Sequence, residues 1–275
     1  MAEQRENDVL LSACVSVRYG SKPPVLRDVK LDIRQGEVLG LVGQSGSGKS
    51  TLAMTILGLL ERKRALVEGS IEFESRNLLT LRERELRELR GRKIALVLQS
   101  PLSSLNPALK IRTQLREAWR AHASGSNADS DQAIQAALES VSLPSSEEFL
   151  RKYPSQMSVG QAQRVLIAMA VIHRPALLIA DEATSALDVI TQSEILKLFR
   201  ELSRSSGMSL LYISHDLASV AEICDRIAIL NQGQIVELGN TEQVLTNPQH
   251  EYTQRLMAAM PRMPQPSAKG KSAAI

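Results

Sequence analysis

Gly43-Gln44-Ser45-Gly46-Ser47-Gly48-Lys49-Ser50-Thr51 lies between two apolar runs of different character. Before it, Glu37-Val38-Leu39-Gly40-Leu41-Val42 is short and apolar enough for a buried strand; after it, Leu52-Ala53-Met54-Thr55-Ile56-Leu57-Gly58 is compatible with a helix. Glycines where a strand turns into a helix are the context that makes this pattern a phosphate-binding loop. Gly43, Gly46 and Gly48 permit backbone angles closed to other residues. Their amides, with the helix N-terminus, converge on an anion. Lys49 supplies a mobile positive charge for the outer phosphates, and the Ser50 hydroxyl is placed to ligate the magnesium that bridges them. A flexible Gly/Ser turn would explain the glycines but not Gly-Lys-Ser at a helix start, so a nucleotide is expected here.

Working outward, Leu10 to Tyr19 and Val29 to Ile33 alternate like strands, separated by the turn cluster Gly20 to Pro24. Glu61 to Val67 reads as a polar surface connection, Ser70 to Phe73 as a strand and Leu81 to Arg90 as a short helix buried through Leu86 and Leu89. Ile94 to Leu98 is an apolar strand ending in Gln99. The composition then changes: Ile111 to His122 and Gln132 to Val141 are helical, joined by the linker-like Ser124 to Ser130, and Tyr153-Pro154 closes the region. A strong helix follows Gly160, with Ala162, Val165, Leu166, Met169 and Ile172 on one face. Further strands are expected over Ala176 to Ala180 and Ser209 to Ile213, helices around Ile195 to Leu202 and over Asp216 to Cys224, and a hairpin about Gln232-Gly233. Thr241 to Leu245 and Tyr252 to Met260 read as short helices, and the Pro-, Lys- and Ser-rich tail 261–275 as disordered. Strands alternating with helices predict an α/β fold with a mainly parallel core sheet, whose ligand sits at the strand C-terminal ends.

With 275 residues, 33 Lys+Arg against 30 Asp+Glu and a net charge of +3, the chain is too mildly basic to point to nucleic acid. Cys14 and Cys224 stand apart and read as reduced core thiols of a cytosolic protein. No N-terminal apolar stretch resembles a signal peptide, and no run reaches a membrane span, so any membrane role is expected from the cytosolic side, through partners.

Leu177-Leu178-Ile179-Ala180-Asp181-Glu182 is an apolar strand ending in two carboxylates. Beside a phosphate loop, Asp181 reads as the metal-side acid, and Glu182 as the base that orients and deprotonates the attacking water. A base of this kind contributes roughly 10²–10⁴-fold. The competing reading makes the two acids a helix N-cap before Ala183-Thr184. His215, after Leu211 to Ser214, is a candidate for the γ-phosphate, with a structural role as the alternative. Gln99 is a candidate for the metal or the water, or a polar strand terminus. Tyr19 is either a packed aromatic or a platform for the base, where stacking is worth about 1–3 kcal/mol.

Taken together, these residues make the chain resemble the ATPase subunit of ABC transporters from Leu10 to about Pro261. Tyr19 matches the aromatic A-loop, Gly43 to Thr51 Walker A, Gln99 the Q-loop and Leu177 to Glu182 Walker B with its catalytic glutamate. Ser185-Ala186-Leu187-Asp188 matches the D-loop and His215 the switch histidine. The signature departs from the family: Met157-Ser158-Val159-Gly160-Gln161 stands where Leu-Ser-Gly-Gly-Gln is usual, so Val159 replaces a glycine. Ala183 stands where proline is frequent. Ser103 to Pro107, Tyr153-Pro154 and His250 to Leu256 resemble the oligopeptide, dipeptide and nickel importer ATPases. Many of those carry a later cysteine-rich segment; with no cysteine after Cys224, no iron–sulfur cluster is expected.

The resemblance implies one P-loop ABC ATPase domain over 1–260. Its core comprises 1–99 and 161–260, with an antiparallel β subdomain and a helical insertion over 100–160. It implies ATP and magnesium as ligands, the metal held by Ser50, Gln99 and Asp181. ATP would lie between one subunit's Walker A and the other's signature, Ser158 to Gln161. Two membrane permeases, an extracytoplasmic substrate-binding protein and a second ATPase subunit are the implied partners; Val159 favours a sister over a second copy as that subunit, the alternative being that Ser158 and the Gly160 amide make the essential contacts and valine is tolerated. The location implied is the cytoplasmic face of the membrane. An exporter ATPase, a soluble ABC-type ATPase and a binding subunit without turnover remain alternatives.

Overall fold

The computed structural model describes residues 8–60 and 64–259. β1 (Val9–Tyr19) and β2 (Leu26–Arg34) pair antiparallel, burying Leu11, Ala13, Val15 and Val17 against Leu26, Val29, Leu31 and Ile33. β3 (Val38–Val42), buried at every residue, feeds α1 (Lys49–Ile56). β4 (Ala65–Phe73) returns beside β1 and carries the two-residue β5 (Arg76–Asn77). α2 (Glu83–Leu89) buries Leu86 and Leu89 and leads to β6 (Ile94–Val97). A run of helices follows: α3 (Pro101–Ser104), α4 (Ile111–Arg120), α5 (Asn127–Ser140), α6 (Glu147–Leu150) and α7 (Val159–Val171). Strands and helices then alternate through β7 (Leu177–Asp181), α8 (Val189–Ser206), β8 (Ser209–Ser214) and α9 (Leu217–Ile223). The hairpin β9 (Arg226–Asn231) and β10 (Gln234–Asn240) precedes α10 (Thr241–Thr246) and α11 (Glu251–Ala258).

The strands make two sheets. The central one has the order β10-β9-β3-β8-β7-β6, parallel from β9 to β6 with β10 antiparallel at its edge. The other is the antiparallel β2-β1-β4-β5. Successive side chains of a strand face opposite ways, and this divides the core. Leu39 and Leu41 of β3, with Leu211 and Ile213 of β8, pack toward α1 and the antiparallel sheet. Val38 and Val42, with Leu210 and Tyr212, pack toward the helices. Ile111, Leu115 and Trp119 fall on one face of α4; Ile111 and Leu115 join that second core, and Trp119 is buried.

Several expectations need correction. Ala65 to Val67 is strand, not a surface connection: paired with Tyr19, Arg18 and Val17 across β1, it completes the antiparallel ladder. The supposed linker Ser124 to Ser130 contains the start of α5. Ser126 caps it by accepting from the Asp129 N–H, while the Asp129 carboxylate accepts from the Ser126 N–H, so polar residues act here as a helix start. Cys224 is buried, but Cys14 is only half-buried, with its thiol 3.5 Å from Asp28 Oδ1. The disordered-tail expectation falls on residues 261–275, outside the described residues, as does Met260 at the end of the expected last helix.

Candidate active site

Register puts the candidate residues on one edge. In the parallel ladders Val42 lies beside Ser214, Asp181 beside Ile213 and Val97 beside Ala180. The chain therefore leaves the sheet at Gly43, His215, Glu182 and Leu98-Gln99 on the same side, where the C-terminal ends of parallel strands gather a ligand. Gln99 lies two residues past β6, one step farther out than the apolar run suggests.

The glycine loop is shaped by close approach as much as by backbone angle. Gly46 and Gly48 have φ of 80° and 109°. Gly43 does not need a left-handed angle. A Cβ there would stand 2.3 Å from the Leu230 carbonyl oxygen and 2.6 Å from Ser47 Oγ, so it is glycine for lack of space. The loop is tied to the β9–β10 turn by the Gly233 N–H, which donates to the Ser47 carbonyl at 3.0 Å.

Lys49 is buried, and its Nζ donates to the carbonyls of Gly43 and Gln44 at 2.7 and 3.1 Å. It also lies 3.8 Å from Glu182 Oε1, while Glu182 Oε2 lies 3.3 Å from His215 Nδ1. Glu182 thus stands between a lysine and a histidine. Burial lowers the Lys49 pKa, and the Glu182 and Asp181 charges oppose that shift. Asp181 shifts the other way: burial raises its pKa, Ser50's hydrogen bond and Lys49 lower it, and the Glu182 charge adds to the rise. The Asp181 Oδ1 is buried without a partner. An orphaned, costly carboxylate oxygen next to the Ser50 hydroxyl is what a hard divalent cation with oxygen ligands would satisfy, so the residues present fit magnesium.

No helix starts at Asp181-Glu182, which removes the N-cap reading. Asp181 ends β7, and Glu182 turns left-handed with φ 50°, a conformation that costs a non-glycine residue about 1–2 kcal/mol. It is held there by its N–H donating to the Ile213 carbonyl at 3.0 Å and by its own carbonyl accepting from the Ser185 N–H and hydroxyl at 3.2 and 3.0 Å. Asp188, the last of Ser185-Ala186-Leu187-Asp188, caps α8 by accepting from the Ile190 and Thr191 N–H groups.

A cavity of about 420 Å³ is lined by Ser45, Ser50, Gln99, Asp181 and Glu182, so the structure brings those five together. Tyr19 is not among its lining residues; half-buried at the end of β1, it packs against the core between the sheets. Ser158 to Gln161 are not among them either. Ser158 caps α7 in a capping box with Gln161, and Val159 is exposed at 39 %. A larger cavity, about 640 Å³, opens between α5, α7 and α8 near Pro175 and Met208, at the strand ends opposite the phosphate loop. Its size is no guide to chemistry: Arg174, exposed, is its one charged lining residue.

Sequence reasoning passed over a set of buried hydroxyls on Thr184, Tyr212, Ser214 and Ser219. A signal was available: a tyrosine in an otherwise apolar buried strand needs a partner for its hydroxyl.

A family described as "ABC transporter" matches residues 26–185, and one described as "Oligopeptide/dipeptide transporter, C-terminal region" matches 236–274. The chain is 42 % identical over 262 residues to a dipeptide transport ATP-binding protein of Haemophilus influenzae, covering 94 % of this chain and 78 % of that protein. It is 38 % identical over 270 residues to a glutathione import ATP-binding protein of Salmonella typhimurium, covering 95 % of this chain but only 43 % of that longer protein. Among solved structures, a dimeric ATP-binding cassette in a post-hydrolysis state with ADP and Pi superposes with a TM-score of 0.72 at 27 % identity, covering 84 % of this chain and 98 % of that one.

Proposed function

The chain belongs to the ABC transporter family as an ATP-binding, ATP-hydrolysing subunit, and from that premise we propose that it energises uptake of peptides or a similar small solute through partner permeases. The match to the oligopeptide/dipeptide C-terminal region and the import named for the glutathione relative favour an importer over an exporter or a soluble ATPase. The observation that carries the catalytic reading is the Glu182 carboxylate, held 3.8 Å from Lys49 Nζ and 3.3 Å from His215 Nδ1.

Gly43 to Thr51 wraps the phosphates, with Lys49 exchanging its loop carbonyls for the outer phosphate oxygens. Ser50, Asp181 and Gln99 would hold magnesium, whose chemistry would be to neutralise charge on the phosphates. Glu182 takes the proton of the attacking water, and His215 keeps that carboxylate aimed and meets the γ-phosphate. Tyr19 supplies the platform for the base. Lys49→Ala should abolish ATP binding. Glu182→Gln should bind ATP and lower turnover of the assembled transporter by about 10²-fold or more. Wild-type turnover by the Glu182→Gln complex would refute the assignment.

Ser158, Val159, Gly160 and Gln161, set apart from this chain's own phosphate loop, face the ATP of a second subunit, and Ser185 to Asp188 line the same junction. Val159 adds a β-branched side chain where the family uses glycine. A homodimer would carry that change at both sites; pairing with a sister ATPase confines it to one. The faster site would then be built on this chain's Lys49, Asp181, Glu182 and His215. Placing Glu→Gln in one subunit at a time tests this: the change here should be the more damaging. Equal losses, or full activity from a homodimer, would remove the asymmetry.

Among the described residues no helix is long and apolar enough to cross a membrane. In this reading, attachment at the cytoplasmic face runs through two permeases, which are served outside by a substrate-binding protein. The exposed Leu98 and Leu102 beside Gln99 are the apolar ground for that contact.

A further inference from the structure

We propose that Tyr212 is a positioning residue for hydrolysis, its buried hydroxyl tying the segment after Glu182 to the segment that carries His215. The inference rests on the hydrolytic reading of the site above. Tyr212 Oη lies 2.8 Å from Thr184 Oγ1 and 3.2 Å from Ser219 Oγ, and Ser219 Oγ lies 3.3 Å from Ser214 Oγ. Tyr212, Thr184, Ser214 and Ser219 are all buried.

The direction of these bonds is fixed at one end. Ser219 Oγ is 2.7 Å from the Asp216 carbonyl, which can only accept, so the Ser219 proton goes there. Ser219 must then accept from Tyr212, and Tyr212, its single proton spent, must accept from Thr184. By the same reasoning Ser214 donates to Ser219, and its oxygen accepts from the Asp216 N–H at 2.9 Å. One ordered chain runs from Thr184, two residues past Glu182, through Tyr212 and Ser219 to Asp216, one residue past His215. Burial raises the Tyr212 pKa, which keeps the hydroxyl protonated as this order requires.

A second tie closes the loop. Gln192, in the first turns of α8, donates from Nε2 to Asp216 Oδ2 at 3.1 Å. Glu182 itself sits in a left-handed conformation and takes its N–H partner from Ile213, the residue after Tyr212. Strain of this kind persists where the surroundings over-determine it. Tyr212 makes the link from the inside of the sheet, so the distance from Glu182 to His215 is set by a buried bond and not by the exposed loops alone. Phenylalanine fills the same space but leaves Thr184 without its acceptor and takes from Ser219 one of its two donors, Ser214 being the other.

The test is steady-state ATP hydrolysis by the assembled transporter carrying Tyr212→Phe. A hydrolysing wild-type complex first secures the functional reading, so failure of the two is distinguishable. Expected is a fall in kcat of about tenfold with KM for ATP within about twofold of wild type, because the nucleotide pocket is untouched. Thr184→Val, which removes the other end of the bond, should do the same and carries the test if Tyr212→Phe folds poorly. The double variant should be no worse than either single one. Wild-type kcat in both variants, a rise in KM at constant kcat, or fully additive losses would overturn the proposal.

Discussion

At the scale of the residue, Asp181 is where function and stability pull apart. Its carboxylate is buried, one oxygen has no partner, and burial holds its pKa above the ordinary carboxylate range. Between the unfolded and the raised folded pKa the native state binds more protons than the unfolded one. Stability from this group is therefore lost as pH rises through that window. At neutral pH the ionised Asp181 is a cost that a bound cation would relieve. Asp181→Asn should stabilise the nucleotide-free chain at neutral pH by about 1 kcal/mol, net of the lost attraction to Lys49, while abolishing turnover. The gain should shrink as pH falls through the raised folded pKa, because the wild-type carboxyl then takes up its proton. Thermal unfolding of both proteins across pH measures this; a less stable Asn variant at neutral pH would contradict it.

At the scale of the element, the N-terminus of α7 is held by packing that its sequence motif does not announce. A Cβ on Gly160 would come within 2.7 Å of Thr191 Cγ2, and Thr191 stands in the first turn of α8 with its hydroxyl 2.7 Å from Asp188 Oδ2. Gly160 and Asp188 therefore both meet Thr191, which stands between Ser158-Val159-Gly160-Gln161 and Ser185-Ala186-Leu187-Asp188 within one chain. Glycine at 160 lets the two helix heads meet, whatever its amide does toward a second subunit. Gly160→Ala should push them apart and destabilise the chain by about 1–3 kcal/mol, the usual cost of overpacking. Thr191→Ser removes the obstructing methyl and keeps the hydroxyl bond, so the double variant should recover most of the loss. Denaturant unfolding of the single and double variants decides; no recovery would place the constraint elsewhere.

At the scale of the whole molecule, the two sheets are joined by Arg226. Its guanidinium makes paired bonds to Asp32 at 2.9 and 3.2 Å and reaches Glu37 Oε1 at 3.2 Å. Glu37 is buried and also accepts from the Arg34 N–H at 2.8 Å. One side chain from the start of β9 thus fastens the end of β2 to the start of β3. Removing it strands a buried carboxylate, and such breaks cost about 3–5 kcal/mol. Arg226→Ala should destabilise by roughly that amount, and adding Glu37→Gln should return part of it by removing the stranded charge. Urea titration of the two variants checks both statements; equal stability of Arg226→Ala and wild type would reduce the link to a surface contact.

Local order was legible in the chain itself. Lys49 following glycines between an apolar strand and a helix, acids ending Leu177 to Ala180 and His215 ending Leu211 to Ser214 are short-range patterns, and short-range patterns write secondary structure and chemistry directly. Of the two misread segments, Ala65 to Val67 is apolar but follows the charged run Glu61 to Arg64, and Ser124 to Ser130 is polar. One is recruited as strand by pairing with β1, the other as a helix start by a Ser126–Asp129 capping box, so their composition misled. Gly43 and Gly160 were visible as glycines, but the Leu230 carbonyl and Thr191 that require them are distant in sequence. The bonds from Tyr212 to Thr184 and Ser219 were likewise decided by folding. They depend on β7, β8 and α9 being brought side by side, and nothing in residue spacing encodes a distance between strands that meet only in the sheet.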